Sequence, residues 1–261
     1  MNPAEPPKTV PPLERLVRER LDARVPALIH EQWASELPWL IQGTTTRGTA
    51  ADRFDLGLFS EGSPAEHVRA CWSRLLATTG MRAVMHARQV HEANVRAHRA
   101  PHSGLNLVEP CDGHTTAEPG VLLAVAIADC VPVFLVNVRT RVVGMLHAGW
   151  RGTAAGVLES GIEAMPGGSQ VADLRVHFGP AICGACYEVG PEVFEALGEP
   201  GPATATTLDL RGVLFRRALA AGLHLEHVTV SGHCTRCTGS ELYSHRGGDR
   251  SRQVGYLGVR P

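Results

Sequence analysis

A chain of 261 residues, 44% hydrophobic and 20% charged, can bury a sizeable core as one large α/β domain or two small ones. Its formal charge of −1 offers no electrostatic footprint for nucleic acid or an anionic membrane, and its longest apolar run, 121–128, is too short to span a bilayer. Seven cysteines, an odd number, behind an N-terminus without an apolar signal core point to reduced thiols and a cytoplasmic setting.

Residues 1–12 carry five prolines and no apolar periodicity, which predicts a flexible tail. From Leu13 to about Ala34, Leu13, Leu16, Val17, Leu21, Val25, Leu28 and Ile29 approach helical spacing and predict an accessory helix, kinked at Pro26. The main domain is expected from residue 38 to the C-terminus. It starts with a strand over 39–46, then a helix over 64–79 opened by Ser63 as N-cap and closed by Gly80. A strand over 81–90 delivers Gln89-Val90-His91, and the polar stretch 96–118 reads as loop. The continuous apolar run 121–128 predicts a strand buried on both faces. Further on, helices are expected over 153–165, 191–197 and 211–221, and strands over 174–178 and 227–230. After Ser231, Cys, Arg, His and Gly dominate. Strand pairs interspersed with helices predict a mixed α/β domain of mixed sheets covered by helices.

The two apolar runs 131–136 and 142–146 flank a polar break and predict a β-hairpin. With its turn centred near Arg139, paired positions sum to about 278, which sets Cys130 opposite His147 or Ala148. A thiol and an imidazole thus reach the same end of a rigid ribbon, with Asp129 beside the thiol. Asp129 and Arg151 near one strand end would be costly to bury without a polar site around them. With His91 at the end of its own strand, the set is His₂Cys: three protein ligands that leave a fourth position free, as in catalytic zinc sites. Soft sulfur also suits copper. The metal-free alternative is a Cys130–His147 nucleophile pair oriented by Asp129. Arg151, at a helix start, suits a phosphate or carboxylate, and Arg47 and Arg246 are similar candidates. Cys183-x₂-Cys186 and Cys234-x₂-Cys237 are separated by much more than the roughly 15–20 residues usual for paired zinc knuckles. They are therefore expected as separate packed or site-lining thiols rather than a second zinc site.

Ala128-Asp129-Cys130-Val131-Pro132-Val133, His147-Ala148-Gly149-Trp150-Arg151-Gly152, Gly179-Pro180-Ala181-Ile182 with Cys186-Tyr187-Glu188-Val189-Gly190, and Cys234-Thr235 with Tyr243-Ser244-His245-Arg246 resemble the YfiH-like laccase-domain family. That family was described first as polyphenol oxidases and later as purine nucleoside phosphorylases with adenosine deaminase activity. The resemblance covers about residue 38 to the C-terminus. It implies a four-layer α/β/β/α fold with mixed sheets, distantly like cysteine hydrolases. It also implies metal ligation, usually by zinc, through His91, Cys130 and His147. The implied reactions are phosphorolysis of adenosine, inosine, guanosine and methylthioadenosine, and hydrolytic deamination of adenosine. Cys130, Asp129 and His147 are the expected catalytic residues, with Asp129 the nearest candidate for proton transfer. Arg47, Arg151 and Arg246 are the expected phosphate contacts. Expected partners are purine nucleosides and phosphate, with no nucleic acid or membrane, on a monomer or small homo-oligomer. The competing expectations are a copper-dependent polyphenol oxidase, a metal-free cysteine amidase acting on peptidoglycan precursors, and a non-catalytic metal-buffering or partner-binding protein. Asp55-Leu56-Gly57 departs from the family's usual Asn-Leu-Gly, and His245-Arg246-Gly247 replaces a more basic stretch.

Overall fold

Two seven-stranded mixed sheets face each other, with helices on their outer sides; the computed structural model describes residues 13–22, 24–99, 101–167 and 170–261. The first sheet runs, in spatial order, through Leu16–Val17, Val228–Ser231, Leu174–Phe178, Val131–Asn137, Val143–Ala148, Gly113–Thr116 and Val95–His98. The second runs through Arg20–Asp22, Ala27–Ile29, Leu40–Thr45, Gln253–Val259, Val121–Ile127, Ala83–Ala87 and Gly104–Val108. Three apolar clusters fill the three spaces between layers. Phe134, Val136, Met145, Leu123, Val125 and Leu257 meet between the sheets. Trp72 and Leu75 of helix Ala65–Thr79 cover the second sheet, and helices Val157–Glu163, Pro191–Leu197 and Leu210–Ala220 cover the first. This is the expected four-layer arrangement. No helix among the described residues is long and apolar enough to cross a membrane.

Several elements depart from the sequence reading. Among its described residues, the stretch from Leu13 to about Ala34 does not form the expected accessory helix. Short strands Leu16–Val17 and Arg20–Asp22 with Ala27–Ile29 instead extend an edge of each sheet, and among the described residues of this stretch only Glu31–Glu36 is α-helical. Pro26 would interrupt a helix here, whereas the edge of each sheet supplies hydrogen-bond partners for the segment's backbone. Pro26 offers its carbonyl to the Thr46 N–H at 2.6 Å. Buried Glu19 locks this segment down, accepting from Ser231 Oγ at 2.9 Å and facing His177 Nε2 at 3.0 Å. The proline-rich tail lies outside the described residues.

The stretch read as loop, 96–118, contains strands Gly104–Val108 and Gly113–Thr116. The latter is fully buried without apolar side chains, because Thr115 and Thr116 donate their hydroxyls to the carbonyls of Ala164 and His98. The 153–165 helix is two helices, Trp150–Ala154 and Val157–Glu163, broken at Gly156, whose φ of +88° ends the first. Helix Ala65–Thr79 is flanked by Pro64, not Ser63, as N-cap. The last strand, Gln253–Val259, pairs on both sides in the centre of its sheet. Its glycines dilute the apolar pattern, yet a Cβ on Gly255 would lie 2.5 Å from Met145 Cε across the sheet gap.

The hairpin forms, but its pairs Val131–Ala148 and Pro132–His147 sum to one more than expected. Its turn holds four residues, Val138 to Arg141, so the centre falls between Arg139 and Thr140. Asn137 Oδ1 caps the turn, accepting from the amides of Arg139 and Thr140, and Arg141 takes the left-handed conformation that closes it.

Candidate active site

The chain crosses from the second sheet to the first three times in succession: 87 to 95, 108 to 113 and 127 to 131. These crossings carry His91, Asp112 and Cys130 respectively. His147 joins them from strand Val143–Ala148. Ligand atoms of His91, Cys130 and His147 all lie within 4.8 Å of one another. Gly149 makes this closure feasible, since a Cβ there would sit 3.0 Å from Cys130 Sγ and 3.1 Å from His91 Cδ2. His91 at φ +63° and Asp129 at φ +93° are left-handed non-glycine residues, each costing of order 1–3 kcal/mol unless its surroundings hold it.

Asp112 is what holds His91. Its fully buried carboxylate accepts from the backbone amides of Val90, His91 and Glu92 at 3.1, 2.9 and 2.9 Å. The same group takes His147 Nδ1 at 2.8 Å. Because a carboxylate only accepts, His147 carries its proton on Nδ1 and turns Nε2 toward the thiol. Burial opposes the charge of Asp112, yet His147 and these amides hold it below the usual carboxylate range. Burial would likewise raise the Cys130 thiol, but His147 and His91 outweigh it and bring the thiol down to about 6. Burial works against a charged His147 too; Cys130 in front and Asp112 behind raise it to about 9. Without a metal, each of the two favours the charged form of the other. With one, the same donor set, one soft sulfur and two imidazoles, suits zinc or copper.

Residues 42–260 match the family described as multi-copper polyphenol oxidoreductase laccase. The chain belongs to this family. Its relatives include the purine nucleoside phosphorylase of Xylella fastidiosa, 35% identical over 79% of this chain and 84% of that one. Purine nucleoside phosphorylase YlmD of Geobacillus stearothermophilus is 37% identical over 57% of this chain, and the match spans 60% of that relative. Adenosine deaminase RL5, from an unknown prokaryote, is 34% identical over 53% of this chain and 58% of its own length. Among solved structures, hypothetical protein YfiH of Bacillus licheniformis superposes with a TM-score of 0.84 at 26% identity, covering 93% of this chain and 99% of that one.

In this laccase-domain chain a cavity of about 400 Å³ opens beside His91 and His147, lined also by Phe59, His86, Arg88 and His245. A larger cavity, about 760 Å³, lies among Leu16, Phe194 and Leu208 and includes none of the trio. The smaller one sits at the chemistry and is the substrate candidate. His86 is missed by the sequence reading, where it is an unremarkable strand residue. Its Nδ1 faces the Ala124 carbonyl at 3.0 Å, which fixes the proton there, and its buried Nε2 has no hydrogen-bond partner among the described residues. Burial holds its imidazole down to about 4, so the ring stays neutral and Nε2 is a bare acceptor. Phe59, 54% exposed, stacks on it at 5.8 Å.

The other expected residues separate. Asp129 does not face His147; its carboxylate accepts from Thr235 Oγ1 at 2.6 Å and from the Arg246 amide at 2.7 Å. Arg246 bonds the Glu188 carbonyl and covers the Tyr187 ring, while Arg151 lies over Trp150. Burial pushes the Tyr187 hydroxyl up to about 12, helped by Cys130 and opposed by Arg246 and Arg151. Arg47 is committed to the Leu242 carbonyl and to Asp249, in a separate hollow. Asp55, the departure from the family's asparagine, accepts the amides of Gly57 and Arg252.

Proposed function

We propose that this chain is a metal-dependent purine nucleoside enzyme. Its reactions would be phosphorolysis of adenosine, inosine, guanosine and methylthioadenosine, and hydrolytic deamination of adenosine. The observation that carries the reading is the convergence of His91, Cys130 and His147 behind a nucleoside-sized cavity, with Asp112 orienting His147. The names of the relatives support it. Bound zinc would be held by these three residues and would supply Lewis acidity at an open position. Copper is the alternative ion for the same donors.

The chain's own groups divide the remaining work. His86 Nε2 accepts an N–H from the edge of the base: the amino group of adenosine, or N1–H of inosine and guanosine. Phe59 packs against the purine face. Arg151 and Arg246 are the proposed contacts for hydrogen phosphate, whose oxygen forms a bond to C1′ as the bond to N9 breaks, its proton passing to the leaving base. Asp129 acts as a positioning residue, holding the Cys130 turn through Thr235 and Arg246. Arg47 fixes the 242–249 loop rather than touching phosphate.

A chromatographic screen of the four nucleosides, with and without phosphate, tests this in protein of measured metal content. Free base with ribose 1-phosphate (5-methylthioribose 1-phosphate from methylthioadenosine), and inosine from adenosine, are expected, and both should vanish in Cys130→Ala. Metal-loaded protein that converts none of them would overturn the assignment.

A second reading has a specific observation behind it. Cys130, His147 and Asp112 line up as sulfur, imidazole and carboxylate, the order of parts in a cysteine nucleophile site, with Asp112 in the orienting place foreseen for Asp129. Amidase activity that survives chelation and is lost to iodoacetamide would favour it. Phenol oxidation by several coppers fits less well. Among the described residues, only the trio and a histidine-free group of four cysteines gather three or more metal-ligating side chains from His, Cys, Asp and Glu.

A further inference from the structure

The two Cys-x₂-Cys pairs, expected apart, come together. Ligand atoms of Cys183, Cys186, Cys234 and Cys237 all lie within 4.8 Å of one another, although the pairs stand far apart in the chain. We propose that these four cysteines hold one structural zinc ion, a second metal site that clamps two loops beside the active centre.

Cys237 Sγ is 3.9 Å from Cys183 Sγ and equally 3.9 Å from Cys186 Sγ. A tetrahedral ion with Zn–S bonds of about 2.3 Å requires sulfurs about 3.8 Å apart, close to this separation. A disulfide would choose one partner at about 2.0 Å, whereas Cys237 is shared evenly between two and all four thiols are free. The amides of Cys183 and Arg236 both point at Cys234 Sγ, at 3.3 and 3.4 Å. Two N–H groups aimed at one sulfur suit a thiolate, as a zinc ligand must be. Arg236 adds a cation beside the cluster, bonded to the Cys186 carbonyl at 2.9 Å. Four sulfurs satisfy a tetrahedral structural site completely and leave no open position for substrate.

The placement gives the clamp a purpose. Between strands Val228–Ser231 and Gln253–Val259 the chain runs without helix or strand, a length uncommon in a compact domain unless something else orders it. That segment carries Thr235 and Arg246, the two donors to Asp129. The opposing turn, Gly184–Cys186, leads directly into Tyr187. Zinc across the pairs would fix both loops and, through Asp129, the left-handed turn that presents Cys130.

Cys130→Ala protein, purified anaerobically without added metal, isolates this site from the trio. It should retain one zinc per chain, with an X-ray absorption spectrum showing four sulfurs at about 2.3 Å and no nitrogen. Adding Cys183→Ser and Cys237→Ser should remove that zinc. If this triple variant fails to fold, the absorption spectrum of Cys130→Ala still decides. Should the nucleoside-site reading alone fail, metal-loaded wild type would convert no nucleoside while Cys130→Ala still carried its all-sulfur zinc. A zinc-free Cys130→Ala protein would overturn the proposal, whether its four thiols titrate freely or two are joined as a disulfide.

Discussion

Replacing Asp112 by Asn keeps the volume of the side chain and removes its charge. Oδ1 now accepts from His91 N and His147 Nδ1, and Oδ2 from the amides of Val90 and Glu92. An amide has one accepting oxygen, so its NH₂ must confront two of these four donors whichever way it turns. Hydrogen bonds to a charged group are worth about 1.5–3 kcal/mol each, so losing two costs about 3–6 kcal/mol. That is a large part of the 5–15 kcal/mol typical of a whole domain. If the NH₂ faces His147, the imidazole must shift its proton to Nε2, the nitrogen meant for the metal. Loss of such a supporting carboxylate typically weakens metal affinity about 10–100-fold. Urea unfolding measures the first effect and competition with a chromophoric chelator the second. Stability within about 1 kcal/mol of wild type, with unchanged affinity at the trio, would refute the role given to Asp112.

Gly149→Ala should push Cys130 Sγ and His91 apart, because its Cβ would lie 3.0 and 3.1 Å from them; metal affinity at the trio should fall while the fold persists in circular dichroism. Glu19→Ala should lower stability by about 3–5 kcal/mol in urea unfolding by orphaning His177 and Ser231, and a change below 1 kcal/mol would deny the N-terminal strands their anchor. Stability should also fall as pH drops below about 6.5. Burial holds His30 and His86 down to about 2 and 4, and His114 well below its ordinary value. The unfolded chain therefore binds protons that the folded one refuses. At pH 5.5 each such histidine costs on the order of 1 kcal/mol relative to neutral pH, so together they cost a few kcal/mol. A flat urea profile from pH 7.5 to 5.5 would contradict this. His86→Leu should raise KM for adenosine about tenfold or more by removing the base acceptor; an unchanged KM would place His86 outside the base site.

His91, Cys130 and His147 were legible because each ends a run whose apolar pattern is strong, and strand ends are where side chains can converge. The hairpin was readable for the same reason, and its register slipped only because a four-residue turn, fixed by Asn137, replaced a centre on Arg139. Asp112 left no such trace. It precedes Gly113-His114-Thr115-Thr116, a strand buried through hydroxyl-to-carbonyl bonds instead of apolar side chains. The last strand was hidden by its glycines, of which Gly255 lets the two sheets approach. Asp129 was visible, but not its direction: the left-handed turn at φ +93° sends its carboxylate to Thr235 and Arg246 rather than to His147. Nor does spacing reveal that two distant Cys-x₂-Cys turns meet, since the strands between them determine the distance.

Anomalous diffraction at the zinc edge, from crystals of protein shown to convert a purine nucleoside, tests the central claim most directly. The prediction is a peak about 2.0–2.3 Å from a ring nitrogen of His91, Nε2 of His147 and Sγ of Cys130, with no fourth protein ligand. A zinc-free trio in the active enzyme, or an ion there closed off by a fourth protein side chain, would contradict it.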